Sequence, residues 1–441
     1  MIGEANHDLL NSYLDASRFS EGIYVVGVTQ TGVTVYNQQV RSLNLTYVLT
    51  QNNLINAANP KIAIIGGGIA GITAASSFIL KHPSCEVSLF EQHADLCPLQ
   101  QGSDSRWLHP NIYEWPDFGS RQPTATLPFL TWREGRASDV ASQILKQFAK
   151  LYEDVGSQRM EVFLDVKELK ISDPRKISWV GYETEASKGF FQKKRSLGES
   201  KSFDLIVITT GFGRENSGPY GVKRLYWQND DLSKPRLTNE ARTYIISGAG
   251  DGALVDLFRL TVERFRQDRI VYEIFGAQPE QLEAELRKAL QARHVKKTYW
   301  MIFQDLLTGA RLESALELLR VRLRKDTRVI LHLAGPKGEC RSLESALEQK
   351  SSVLNKLLVF LLYRCGAFIP SFALLDEVVE NYRPSDEDII CRHGTKPIDV
   401  LKNIFHDPLP EPTLKRLIDG TQQSNILWPA GWFPTFPGAK L

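Results

Sequence analysis

Short apolar runs alternate along the chain with longer stretches whose apolar positions recur every three or four residues. The runs are rich in valine and isoleucine, which predicts buried strands of a parallel sheet. They lie at 61–65, 86–90, 160–169, 203–208, 244–246, 269–276, 327–335 and 388–394. The helical spacing prevails after residue 276, with one stripe at Leu282, Leu286 and Leu290 and another at Leu312, Ala315, Leu316, Leu319 and Leu323. The pattern predicts an α/β protein with a helical C-terminal region.

The most apolar stretch of the sequence, 352–375, is interrupted by Lys356, Arg364 and Pro370. Its uncharged runs are shorter than the roughly 18 residues that span a bilayer, so we expect a buried helix followed by a turn.

The pattern of residues 1–60, which precede the strand at 61–65, predicts an N-terminal appendage made of a strand and a helix. Polar Gln38, Gln39 and Arg41 interrupt the apolar positions of that helix. We expect them to form a solvated face. The alternative is a docking face for a protein partner or for a second copy of the chain.

The strand at 61–65 is followed by Gly66, Gly68 and Gly71, spaced as in a dinucleotide-binding loop. The first glycine permits a tight turn, the second lets backbone amides approach a pyrophosphate, and the third lets the following helix pack close to the strand. That helix directs its amino-terminal dipole and unpaired N–H groups at the anion.

A second strand at 86–90 ends next to Glu91, twenty residues past Gly71. A carboxylate at this place accepts hydrogen bonds from a ribose diol. Strand, glycines, helix, strand and acid therefore occur in the order that a dinucleotide-binding unit requires.

Composition narrows the function classes. The 441 residues are 42% hydrophobic and 24% charged, which predicts two or three domains. Lysine and arginine number 53 against 51 acids, so bulk charge offers no argument for nucleic acid or membrane binding. The amino terminus lacks the pattern of a secretory signal, and the five cysteines are scattered, without the spacing of a zinc site. We expect a cytoplasmic protein without a metal site.

The run at 203–208 leads into Thr209, Thr210 and Gly211. Here the chain resembles the flavoproteins with two dinucleotide-binding domains, the glutathione-reductase-like fold. In that group a strand that ends in a small-Thr-Gly triplet closes the FAD domain. The resemblance implies FAD at the first glycine loop. It also implies that the backbone near Val166 meets the adenine, and that a small sheet follows.

A second glycine loop follows the strand at 244–246, with Gly248, Gly250 and Gly252, and Ala253 at the third fingerprint position. The same anion-binding argument predicts a second pyrophosphate, most naturally that of NAD(P)H. The run at 269–276 is expected to be the next strand and to place Glu273 near the second ribose. Asp256, in the helix after this loop, is either a buried partner of a backbone or arginine group or a solvated residue.

Several further residues are candidates because of where they fall. Arg106 lies in the loop that crosses the FAD in the resembled group, and either pairs with a phosphate or belongs to a packed loop. His109 in the same loop either donates protons near the flavin or fills the core. Arg392 and His393 follow a strand, at the edge where open α/β sheets bind ligands. The expected catalytic candidates are His109 and His393. The expected cofactor-binding residues are Gly66, Gly68, Ile69, Ala70, Gly71, Glu91, Gln92, Arg106, Val166, Thr210, Gly211, Gly248, Gly250 and Gly252.

Two motifs of related flavoproteins are missing. The disulfide reductases of this fold carry a closely spaced cysteine pair, whereas Cys85 and Cys97 lie on different predicted elements. The Phe-x-Gly-x-x-x-His motif of one class of flavin monooxygenases does not occur.

We expect an FAD-dependent oxidoreductase that takes hydride from NAD(P)H and passes the electrons to an unidentified acceptor or oxygen. The alternative is a regulatory or assembly protein that binds FAD or NAD without turnover.

The expected domains are an appendage at 1–60, an FAD-binding domain at 61–235, an NAD(P)-binding domain with a helical insertion at 236–380, and a C-terminal return segment at 381–441 that packs on the FAD domain. The expected partners are small-molecule nucleotides, without nucleic acid or membrane. The amino-terminal segment is the expected surface for a protein partner or homo-oligomer.

Overall fold

The structure is a computed structural model, and it describes a large part of the chain. The described residues are 4–30, 32–172, 174–181, 200–211, 213, 215–216, 220–221, 224–237, 240–293, 297–309, 311–334, 340–405, 407–422 and 424–436.

Strands and helices alternate in chain order. The strands are β1 (Arg18–Ser20), β2 (Ile23–Val25), β3 (Lys61–Ile65), β4 (Glu86–Phe90), β5 (Trp107–Leu108), β6 (Gly135–Arg136), β7 (Met160–Phe163), β8 (Val166–Ser172), β9 (Lys176–Gly181), β10 (Ser200–Ser202), β11 (Leu205–Ile208), β12 (Arg242–Ser247), β13 (Thr327–His332), β14 (Ile369–Ser371) and β15 (Ile389–Cys391). The helices are α1 (Glu4–Ser17), α2 (Val35–Gln51), α3 (Ile69–Lys81), α4 (Pro98–Gln101), α5 (Ala137–Val155), α6 (Asp251–Thr261), α7 (Ile270–Phe275), α8 (Glu280–Gln291), α9 (Tyr299–Thr308), α10 (Glu313–Val321), α11 (Leu343–Leu347), α12 (Val353–Arg364), α13 (Leu375–Tyr382), α14 (Pro397–Ile404) and α15 (Glu411–Asp419). Short 3₁₀ turns lie at Ile112–Glu114 and Asp386–Asp388.

The first sheet has the strand order β1-β2-β11-β3-β4-β7. Its inner pairs are parallel, with β3 between β11 and β4, so the predicted strand–glycine–helix–strand unit forms as expected. The segment 1–60 contributes β1 and β2 to this sheet, where β2 pairs in parallel with β11. Helix α2 packs on α3.

The prediction of a solvated face on α2 is wrong, because Gln38, Gln39 and Arg41 are all buried. Gln39 Nε2 donates to the Leu130 carbonyl at 2.9 Å, and Trp132 Nε1 donates to Gln39 Oε1 at 2.7 Å. Buried polar side chains pair with neighbours in this way. Periodicity alone cannot distinguish such a face from one that contacts water.

The second sheet has the order β14-β13-β12-β15, and every pair in it is parallel. Strand β12 therefore pairs with β13, and helices α6 to α10 lie between them in sequence. The predicted leucine stripes form α8 and α10, with Leu286 and Leu319 fully buried. Helix α12 is the predicted buried helix of the most apolar stretch.

The prediction of a strand at 269–276 is wrong, since these residues form α7. Ile270, Val271 and Ile274 are buried, at a spacing that suits a helix side. A short, mostly apolar run of six residues fits both the two-residue period of a strand and the 3.6-residue period of a helix. Here the run packs against α10 as a helix. Glu273 is thereby removed from any strand end, and its Oε2 accepts a bond from Arg322 Nη1 at 2.8 Å.

The fold class is the expected one: an α/β chain with two Rossmann-like units and a helical region towards the C-terminus. Strands β8, β9 and β10 form the expected small sheet, although residues 182–199 of that segment lie outside the described residues. In the C-terminal tail, Trp428, Phe433 and Phe436 are buried in the core beside the first sheet. No helix of the described chain is long and apolar enough to cross a bilayer.

Candidate functional site

The first glycine loop joins β3 to α3 and is packed tightly on its inner side. Gly66 has φ +111°, and a Cβ there would lie 2.6 Å from the Thr209 carbonyl oxygen. A Cβ on Gly71 would lie 1.8 Å from the Gly66 carbonyl oxygen. Both positions therefore require glycine, as the sequence predicted for the turn and for the helix contact.

Gly68 differs from its neighbours because it faces open space. It has extended backbone geometry as the N-cap of α3, and a Cβ added there would meet no atom of the described chain within 4 Å. The first N–H groups of a helix lack partners within the helix. Ile69 and Ala70 are the first two helical residues, so their N–H groups lie at an open, positively polarised helix end.

Glu91 directly follows β4 and is buried beside this loop. Its Oε2 accepts the Gly67 N–H at 2.6 Å, and its Oε1 accepts the His93 N–H at 2.8 Å. His93 Nδ1 lies 2.6 Å from the same Oε1, and this hydrogen bond raises the pKa of His93. The carboxylate is thus fixed at the loop, at the place predicted for the ribose acceptor, while the next residue, Gln92, is exposed.

The Thr-Gly turn after β11 closes the other side of the loop. Thr209 Oγ1 donates to the loop carbonyls, with distances of 3.0 Å to Ile65 O and 2.9 Å to Gly66 O. Thr210 Oγ1 is buried and has no hydrogen-bond partner among the described residues. A hydroxyl left in this way beside an open helix end fits a site that receives a polar ligand.

Gly211 has φ +71°, and no atom of the described chain lies within 4 Å of a Cβ built on it. The Val166 N–H donates to the Glu91 carbonyl at 3.0 Å, which brings the start of β8 to the same edge. The structure therefore gathers the residues predicted to hold FAD at one edge of the first sheet, with Arg106 as the exception.

The second glycine loop repeats this geometry between β12 and α6. Gly248 has φ +138°, and a Cβ there would lie 2.5 Å from the Arg392 carbonyl oxygen. Gly250 is the N-cap of α6 and faces open space, as Gly68 does. Ala253 is fully buried, and its Cβ would lie only 3.3 Å from a Cβ built on Gly248, so this side of the loop has little room. Gly252 lies under Tyr226, whose ring is 3.5 Å from a Cβ built there.

Asp251 begins α6 and is held by the start of α12. Its Oδ1 accepts the Ser352 N–H at 2.8 Å and an Asn355 Nδ2 hydrogen at 2.7 Å. Burial raises the pKa of this carboxyl. The two bonds direct the carboxylate towards α12.

A polar cluster lies at the carboxyl ends of β12, β13 and β15, and sequence reasoning named only its member His393 and missed Ser247 and His332. Ser247 Oγ lies 2.7 Å from His332 Nδ1 and 2.7 Å from His393 Nε2. His332 Nε2 lies 3.0 Å from the Ala373 carbonyl oxygen, which can only accept. Burial lowers the pKa of both histidines, so both are neutral at pH 7.

The hydrogen positions in this cluster follow from these partners. Neutral His332 carries its proton on Nε2, so its Nδ1 accepts the Ser247 hydroxyl proton. Ser247 Oγ then accepts the proton that His393 holds on Nε2. The signal that could have revealed the cluster is a serine and a histidine ending two apolar strands, because the carboxyl ends of neighbouring parallel strands meet at one edge.

Arg106 joins the two units and contacts carboxylates. Its Nη1 donates to Asp256 Oδ1 at 2.5 Å, and its guanidinium stacks 4.0 Å above the Tyr226 ring. Arg392 Nε donates to Asp256 Oδ2 at 2.9 Å, and Arg259 Nη1 donates to Oδ1 at 3.1 Å. Asp256 is therefore the buried arginine partner that was one of its two sequence interpretations. We call the ionic cluster the set Arg106, Asp230, Asp256, Arg259 and Arg392.

The ionic cluster has three arginines and two aspartates, and Glu215 beside it supplies a third acid. Arg259 also pairs with Asp230, and Arg392 Nη1 donates to Glu215 Oε2 at 2.6 Å. Burial alone would raise the pKa of Asp256, but the surrounding guanidinium groups hold that pKa well below its usual value. A phosphate contact of Arg106 stays a prediction.

His109 is buried next to β5. Its Nδ1 accepts the Asn111 N–H at 3.2 Å, and its Nε2 lies 3.4 Å from Glu134 Oε2. Burial lowers the pKa of His109 to about 4. Its surroundings are those of a core histidine, and a catalytic role stays a prediction.

The cysteines and the possible metal ligands are the other candidates for redox or metal chemistry. All five cysteines carry free thiols. Within the described ranges, no group of three histidine, cysteine or acidic side chains is placed to hold a metal ion.

Comparison with known proteins shows local similarity to redox enzymes. No protein-family model matches the chain. The mitochondrial L-2-hydroxyglutarate dehydrogenases of Homo sapiens and Pongo abelii are each 41% identical to it over 56 residues. The matched segment covers 13% of this chain and 12% of the human protein, so the chain matches about one eighth of these relatives' length.

Among solved structures, the chain is similar to the covalent putidaredoxin reductase–putidaredoxin complex, with a TM-score of 0.27 and 12% identity over 71% of this chain and 50% of that chain. It is also similar to T. acidophilum thioredoxin reductase, with a TM-score of 0.26 and 10% identity over 71% of this chain and 64% of that chain. The reduced form of ornithine hydroxylase from Pseudomonas aeruginosa has a TM-score of 0.22 and 14% identity over 44% of this chain and 45% of that chain. All of these proteins are named for redox reactions.

Proposed function

We propose that this chain is an FAD-dependent oxidoreductase that binds FAD at the first glycine loop and NAD(P)H at the second. The electrons pass to an acceptor or to oxygen. The observation that supports this most is the open space in front of Gly68, next to the buried and fixed carboxylate of Glu91. The chemistry that FAD supplies when bound is two-electron redox chemistry, with hydride from a reduced nicotinamide as its source.

The residues of the first loop bind and orient the nucleotide in this proposal. The N–H groups of Ile69 and Ala70 at the head of α3 hold the pyrophosphate, since a helix amino terminus favours an anion. Glu91 accepts hydrogen bonds from the adenosine ribose. Thr210 and Gly211 border the phosphates or the ribityl chain.

The second loop offers the same kind of anion site, because Gly250 faces open space at the head of α6, while Gly248 and Gly252 let the loop pack closely against Arg392 and Tyr226. His393 lies beside this loop and is kept neutral by burial, with its Nε2 proton donated to Ser247. His393 is therefore the proton-bearing group that we propose for this edge of the second sheet.

The test uses a pair of matched variants. Because the structure leaves open space at Gly68, Gly68→Val should fold normally and exclude the pyrophosphate by its bulk. We expect the purified wild type to show a flavin band at about 450 nm and Gly68→Val to lack it, with equal unfolding midpoints for the two apoproteins. Gly250→Val should keep the flavin and lose NAD(P)H binding. Full yellow colour in Gly68→Val would contradict the assignment.

A stopped-flow experiment separates turnover from mere binding. The holoprotein is mixed anaerobically with NADH or NADPH, and the flavin band is followed. Rapid bleaching supports the oxidoreductase. Bound flavin that neither nucleotide bleaches would favour a protein that uses the nucleotide as a structural ligand or signal.

A further inference from the structure

The two glycine loops occupy matching places in two parallel units, so their ligand sides can be compared position by position. In the first unit Ile65 pairs with Phe90, and the Gly66 N–H donates to the Phe90 carbonyl at 2.8 Å. In the second unit Ser247 pairs with His332, and the Gly248 N–H donates to the His332 carbonyl at 3.1 Å. The strand that corresponds to β4 is therefore β13.

This register identifies the residue that corresponds to Glu91. Glu91 directly follows Phe90, and Leu333 directly follows His332. Leu333 is buried, as Glu91 is, and its N–H donates to the Ser371 carbonyl at 2.9 Å. An alkyl side chain thus stands where the first unit has its carboxylate.

Among the described residues, two acids near the second unit do not replace the missing carboxylate. Glu273 lies on α7 and pairs with Arg322. Asp251 lies at the head of α6, where its carboxylate accepts bonds from Ser352 and Asn355. Neither acid is at the carboxyl end of β13.

We propose that the second glycine loop binds its dinucleotide without a carboxylate on the ribose, and that it therefore takes NADPH at least as well as NADH. A carboxylate at this place accepts hydrogen bonds from the 2′-hydroxyl of NADH and repels the 2′-phosphate of NADPH. Leu333 does neither. This inference rests on the proposed function, in which the second loop holds NAD(P)H.

The test measures affinity on FAD-loaded protein, so that the first loop is occupied. Dissociation constants are determined anaerobically for NADPH and NADH. They are also determined for 2′,5′-ADP, which has the 2′-phosphate of NADPH, and for 5′-AMP, which has the 2′-hydroxyl of NADH; neither fragment can transfer hydride. We expect the NADPH constant to be equal to or smaller than the NADH constant, with the same order for the two fragments. NADH binding tighter by about tenfold or more, equal to about 1.4 kcal/mol, would overturn the inference and leave the proposed function intact.

The variant Leu333→Glu places an acid at the position that corresponds to Glu91 of the first unit. Leu333→Gln is the uncharged control, because glutamine has the shape of glutamate. Leu333→Glu should shift the NADPH to NADH preference towards NADH by about tenfold or more, and Leu333→Gln should shift it less. If a folded Leu333→Glu variant kept the wild-type ratio of the NADPH and NADH dissociation constants, residue 333 would not contact the adenosine ribose. If neither nucleotide binds while FAD stays bound, the proposed function fails at the second loop together with this inference. The wild-type ratio decides the question even if Leu333→Glu does not fold.

Discussion

A Cβ atom on Gly71 would lie 1.8 Å from the carbonyl oxygen of Gly66, so α3 and the end of β3 touch backbone to backbone. Relief of this clash would require the helix to move. We therefore expect Gly71→Ala to lower the free energy of unfolding by about 3 kcal/mol or more, as a strong case of overpacking. Urea denaturation of the apoprotein measures this.

The control for this prediction is Gly102→Ala, because a Cβ on Gly102 meets no described atom within 4 Å and its φ is negative. This change should alter the free energy of unfolding by less than about 0.5 kcal/mol. Equal stability of the two variants would mean that α3 does not approach β3 as closely as the structure shows.

The ionic cluster gives a second prediction, centred on Asp256. Its carboxylate is the shared acceptor of Arg106, Arg259 and Arg392, and all of these groups are buried or nearly so. Asp256→Asn leaves buried guanidinium charge uncompensated, which costs about 3–5 kcal/mol when one partner of a buried pair is removed. Chemical denaturation should show a loss of this size.

Lys201→Met serves as the comparison, because it breaks the half-exposed pair of Lys201 with Glu161, whose N–O distance is 2.7 Å. A pair in that setting contributes about 1 kcal/mol or less. If Asp256→Asn were as mild as Lys201→Met, the cluster would not hold the two units together.

The first Rossmann-like unit could be predicted from sequence because its determinants are local. Gly66, Gly71 and Glu91 are each required by backbone geometry or hydrogen bonding within a single β-α-β segment. The second unit was predicted only in part. Seventy-nine residues lie between the end of β12 at Ser247 and the start of the unit's second strand, β13, at Thr327. The sequence of the intervening α7 suits either a strand or a helix period.

Contacts between distant segments account for the other misses. Gln39 and Arg41 look polar and solvated in sequence, yet each is buried against a chain segment far away, at Leu130 and at Gln422. Ser247, His332 and His393 converge only because three strands end at the same edge. Local periodicity contains no information about such neighbours, so these features required the structure.

The thiols provide a further prediction. Burial raises the pKa of Cys85 to about 11 and that of Cys97 well above its usual value, so neither is a thiolate at neutral pH. We expect Cys365, which is partly exposed, to react with a thiol reagent before these two in the folded protein. In protein unfolded without reductant, all five thiols should react with the reagent. A count of three would indicate a disulfide and contradict the absence of a redox pair.

The buried histidines predict that stability falls in mild acid. Burial lowers the pKa of His109 from 6.5 to about 4 and also lowers the pKa of His332 and His393. Between its folded and unfolded pKa values, each histidine binds a proton only in the unfolded chain, so the free energy of unfolding rises with pH in that window.

The contribution of these histidines to the free energy of unfolding is therefore fully present above about pH 7.5 and is lost as the pH falls through 6.5. By pH 4 the loss from His109 alone is on the order of 3 kcal/mol. Urea midpoints measured from pH 7.5 to 5 should fall steadily, and His109→Asn should reduce the slope. Replacement of the exposed His7 by Asn should leave the slope of the urea midpoint against pH unchanged. A midpoint that stays constant over this range would show that these side chains are not held neutral in the folded protein.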